Sequence, residues 1–64
     1  MDKNMVKQTL MTGNIVQCSR GEYLSVRRYL QEFAAESIDG GQTIYATIAL
    51  NEVKRLDKKF KIEL

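Results

Sequence analysis

QTIYATIAL, residues 42–50, settles whether this chain contains a sheet. The segment carries no charge, and Thr43, Ile44, Tyr45, Thr47 and Ile48 all favour extended backbone. At a period of two, Ile44, Ala46, Ile48 and Leu50 share one side; Tyr45, Thr47 and Ala49 share the other. Two uncharged sides predict a strand that is either central in a sheet or an edge open to a second chain. In a chain with few other strands the edge is the expectation. Ile44, Tyr45, Thr47 and Ile48 are then the candidate dimerisation residues.

Immediately upstream, residues 19–41 read SRGEYLSVRRYLQEFAAESIDGG, and start signal, body and stop signal agree on a helix. Ser19 can cap, and Glu22 stands three residues on, as a capping box requires. Cys18 can staple onto Tyr23 across that cap. Gly40 and Gly41 end the helix because glycine accepts left-handed backbone without a Cβ penalty. At 3.6 residues per turn Tyr23, Val26, Leu30, Phe33 and Ala34 form one apolar stripe, with Tyr29 at its margin. Ser25, Glu32 and Glu36 lie opposite. Leu24, Arg28, Gln31 and Ala35 occupy a third side, bordered by Arg27, and these five are the candidate contacts for a protein partner.

Residues 1–4 read as a loose polar start. Beyond them, residues 5–18 form two short runs around Thr12-Gly13-Asn14, a pattern that predicts a β-hairpin. A helix over residues 2–11, grouping Met5, Val6, Thr9 and Leu10, competes with it. Downstream, Asn51 can cap a second helix whose stripe is Val53, Leu56, Phe60 and Leu64. Lys54, Arg55, Lys58, Lys59 and Lys61 gather on that segment as candidate nucleic-acid contacts. Residues 59–64 also alternate, so a short terminal strand competes with the helix there. The expected order is β-β-α-β-α: a single α+β domain over residues 1–64, with a short sheet packed on a central amphipathic helix.

Chemistry narrows the function. With no histidine and one cysteine among 64 residues, neither a neutral-pH base nor a zinc ligand set is available. Cys18 just before a helix start is the one nucleophile to weigh, and it lacks an activating base. No enzyme activity, metal or cofactor is expected. The net charge of +2 is a small excess for a nucleic-acid protein. No apolar run approaches the ~18 residues that span a bilayer, and the start lacks a signal-peptide core, so a cytoplasmic location is expected. A chain this short buries only ~60% of its unfolded surface and has no disulfide, which favours support from a second copy or a partner. The expected role is therefore a small regulatory or inhibitory module that binds another protein as a homodimer. It is of the kind found among phage or plasmid accessory proteins. A nucleic-acid-binding regulator using the basic segment is the alternative.

Overall fold

In the computed structural model, which describes residues 1–60, Ser19 and Glu22 make the reciprocal capping box. Glu22 N–H donates to the Ser19 hydroxyl, and Ser19 N–H donates to the Glu22 carboxylate. One turn of 3-10 helix, Arg20–Glu22, leads into α2 (Tyr23–Asp39). The stripe Tyr23, Val26, Leu30, Phe33 and Ala34 is buried, and Ser37 extends it.

The sheet is absent. Among the described residues there is no strand, and the expected α+β order is replaced by three helices: α1 (Lys3–Met11), α2 and α3 (Thr43–Phe60). Residues 42–50 are the turn into α3 and its first half, so they have no open edge through which strands of two copies would pair. The reason lies farther along the chain. Ala46, Ala49, Val53, Leu56 and Phe60 recur at spacings of three and four, and all five are buried. That stripe crosses Asn51, which sits exposed in mid-helix instead of capping a new one. A β-branched residue costs at most ~0.7 kcal/mol in a helix relative to alanine. Burying one large apolar side chain returns about 1.5–3 kcal/mol, so packing outweighs local preference. The Thr47 hydroxyl also turns back to the Thr43 carbonyl at 3.1 Å, which keeps it satisfied inside the helix.

α2 and α3 pack antiparallel along their length. Tyr23 meets Phe60 at a centroid distance of 5.1 Å, Arg27 meets Asp57 at 2.9 Å, and Phe33 meets Tyr45 at 6.3 Å. Their link closes as a Schellman turn: Gln42 N–H donates to Ser37 and Gly41 N–H to Ile38, with Gly41 at φ 76°.

The hairpin expected over residues 5–18 is α1 instead. Asp2 caps it by accepting from Met5 N–H at 2.9 Å. Gly13, at φ 79°, is the end of a second Schellman turn, in which Asn14 N–H donates to Thr9 and Gly13 N–H to Leu10. A hairpin turn and a helix end both need positive φ, so Gly13-Asn14 serves either. α1 buries Val6 and Leu10. Lys3 and Lys7 tie it to Glu32 and Glu36 of α2.

Residues 14–18 then run back along α3 without forming the expected strand. Val16 is fully buried. Its N–H donates to the Glu52 carboxylate at 3.1 Å, and its carbonyl accepts from the Arg55 guanidinium. Side chains here do what a neighbouring strand would have done. The expected choice between helix and strand over residues 59–64 is settled as helix through Phe60 and otherwise lies outside the described residues.

Two substitutions test this packing. Leu30→Ala, at a site with no exposure, is expected to lose about 2–5 kcal/mol in urea denaturation, a large share of a small domain's stability. Gly41→Ala, at positive φ, is expected to lose about 1–2 kcal/mol without change in helix content by circular dichroism.

Candidate functional site

The outer face of α3 collects residues that local sequence pattern divides between two separate elements. At 100° per residue, Lys54, Thr47, Lys58, Asn51, Ile44, Arg55, Ile48 and Lys59 fall in that angular order within a band of roughly 140°. All are exposed except Arg55, which is half-buried. The first half of this face is uncharged, with Ile44 74% exposed and Ile48 36% exposed one turn later. The second half is basic. Of the proposed dimerisation residues, Ile44, Thr47 and Ile48 lie here, while Tyr45 turns inward against Phe33. Of the proposed nucleic-acid contacts, Lys54, Lys58 and Lys59 lie here; Lys61 falls outside the described residues.

Arg55 faces this band but is already engaged. It bonds Glu52 at 2.8 Å as well as the Val16 carbonyl. Burial pushes the Glu52 carboxyl up, yet the hydrogen bonds from Arg55 and the Val16 amide outweigh it and the net shift is downward. Arg55 is thus a structural clasp.

Other carboxylates are engaged in the same way. Asp57 accepts from Arg27 and from the Tyr23 hydroxyl, and these bonds hold its carboxyl below the usual carboxylate range. Glu22 also meets the N-terminal amine at 2.8 Å. Bonds from that amine first, and from Ser19 second, hold Glu22 at about 2. By contrast, Arg20, Lys54, Lys58 and Lys59 have no carboxylate within 4 Å among the described residues. Arg20 and Lys59 both sit over the Phe60 ring, at 5.8 and 5.4 Å from its centroid. Among the described residues, these cations gather toward the end of the α2–α3 pair where α2 begins and α3 finishes.

The third side of α2 is exposed as its periodicity predicts, at Leu24, Arg28, Gln31 and Ala35. Arg27 is withdrawn from it by Asp57. Leu24 is 65% exposed but stands between guanidiniums and polar groups, and isolated apolar residues of this kind are ordinary on protein surfaces. Cys18 is half-buried, and burial first and the Glu22 charge second push its thiol up, away from the reactive thiolate. Among the described residues, no group of three potential metal ligands comes together. No described helix is long and apolar enough to cross a membrane.

Compared with protein-family models, curated proteins and solved structures, the chain matches none.

The sequence does hold a signal for the α3 face. Ile44, Ile48, Asn51, Arg55 and Lys58 keep helical spacing without a break. Dividing the segment at Asn51 hides it. The engagement of Arg27 has no such signal, since its partner Asp57 is remote in sequence; for Arg55 the i,i+3 pair with Glu52 is local, and only its bond to Val16 is remote.

Acid titration tests the electrostatic frame. Glu22 is ordinarily near 4.5 and stands at about 2 when folded, so its contribution is full above the unfolded value and fades as pH falls from about 4.5 toward 2. The downward shifts at Glu36, Glu52 and Asp57 act in the same direction. The melting temperature is expected to hold through the neutral range and drop below about pH 4.5. Glu22→Gln should lower the neutral plateau and flatten the acid limb in calorimetric scans.

Proposed function

We propose that this protein is a non-catalytic binding module that acts, in the manner of a small regulator or inhibitor, by docking another protein on the outer face of α3. One observation carries the reading: Ile44 and Ile48 are exposed on successive turns beside the uncharged Thr47 and Asn51, and no charged residue lies between Gly40 and Asn51 in the chain. Water-exposed apolar side chains grouped on an uncharged patch gain by being covered, whereas the same residues scattered singly signify little. A rigid helix also presents them without the ordering cost that a loop would incur on binding. The α2 residues Leu24, Arg28, Gln31 and Ala35 offer a second side on which a large partner can continue its contact.

The nucleic-acid reading retains Lys54, Lys58 and Lys59, but the tyrosines lend it no support. Tyr23 is buried, and Tyr29 and Tyr45 are half-buried against the core. None of the three stands free as a platform on which bases stack.

Affinity purification of the native chain beside an Ile44→Ser/Ile48→Ser variant tests the proposal. The variant is expected to keep its stability within about 0.5 kcal/mol, as surface substitutions do. The native chain should retain a protein that survives nuclease treatment and that the variant loses. Equal retention by both would remove the α3 face from the reading. A partner lost on nuclease treatment would transfer the role to nucleic acid.

A further inference from the structure

We infer that the segment docked on α3 is an acidic, amphipathic stretch of protein, with its apolar anchor over Ile44 and Ile48 and its carboxylates over Lys54, Lys58 and Lys59. This rests on the α3 face being the binding surface and adds the chemistry of what it binds.

Charge complementarity is the reason. The carboxylates of α3 that could neutralise these lysines are already taken: Glu52 by Arg55 and the Val16 amide, Asp57 by Arg27 and Tyr23. Arg20 joins the lysines through the shared Phe60 ring. A second copy of this chain fits poorly, because Glu32 and Glu36 are committed to Lys3, Lys7 and Arg28 and its described residues hold no cluster of free carboxylates to offer in exchange. A nucleic-acid duplex fits only half the face. Its phosphates carry one charge per ~1.7 Å of axis and would lie against Ile44 and Ile48 as well as the lysines. The apolar and basic centres are about eleven residues apart, which is roughly 16 Å along a helix. A partner helix needs three turns to reach both.

The test is a titration of the isotope-labelled full chain, followed by amide shifts. The probe is a synthetic amphipathic peptide with leucines at one end and a glutamate run at the other. Its controls are the same peptide with glutamine for glutamate and a DNA duplex. Shifts are expected at Ile44 and Ile48 and at Lys54, Lys58 and Lys59. Affinity should fall at least about tenfold for the glutamine peptide, and equally for a Lys54→Glu/Lys58→Glu/Lys59→Glu chain. A Lys54→Gln/Lys58→Gln/Lys59→Gln chain serves if the reversed charges disturb the end of α3.

Absence of binding by the glutamate peptide, equal binding of the two peptides, or tighter binding of the duplex overturns the inference. So does sedimentation of the chain alone as a dimer that covers Ile44. Should the purification experiment still lose its protein in the Ile44→Ser/Ile48→Ser variant, only the acidic character of the partner falls, and the α3 surface stands.

Discussion

Everything in this molecule depends on the seam between α2 and α3. With no disulfide, and no group of three potential metal ligands among the described residues, its apolar side chains must find one another. Leu30 and Val26 of α2 and Leu56 of α3 are wholly enclosed, and Ala46 and Ala49 are small enough to bring the two backbones together. Aromatic pairs stand at both ends of the seam, Tyr23 with Phe60 and Phe33 with Tyr45. α1 adds only Val6 and Leu10 to this core and is otherwise held by exposed ion pairs, each of which contributes little. It is the element with the least holding it, and α2 with α3 is the part that makes the rest possible.

How much of this is legible in the sequence depends on whether each signal is local. The capping box at Ser19 and Glu22, the buried stripe of α2 and the stop at Gly40 and Gly41 are all readable, since each depends on residues within one or two turns. Residues 42–50 mislead because local preference and burial pull in opposite directions there, and only the continuation through Val53, Leu56 and Phe60 shows which prevails. Gly13-Asn14 is legible as a positive-φ position, but the kind of turn it makes is not. The α3 face is half legible, as two sets of residues with no sign that they share one surface.

Charge is distributed on the same plan. Asp2 caps α1, Glu22 caps the entry to α2, and Glu36, Glu52 and Asp57 each bind across to another element. These carboxylates work inside the fold, while part of the basic set faces outward. A net charge of +2 does not report where charge sits: among the described residues, the carboxylates of α3 are engaged by Arg27, Arg55 and the Val16 amide, while Lys54, Lys58 and Lys59 face outward. Composition measures the sum; recognition depends on the arrangement.

The link between α2 and α3 has a consequence for how fast this structure forms. Three residues join the two longest helices, and Gly41 fixes their reversal through a turn that closes within the chain's own backbone. The seam can therefore start at the link and zip outward, each pairing bringing the next within reach, with little loop entropy to overcome. Helical chains dominated by such near-sequence pairings fold in microseconds to milliseconds. No proline is present to impose a slow isomerisation step. Ile44 and Ile48, a few residues past that link, are thus set in their final positions early in the life of the folded chain.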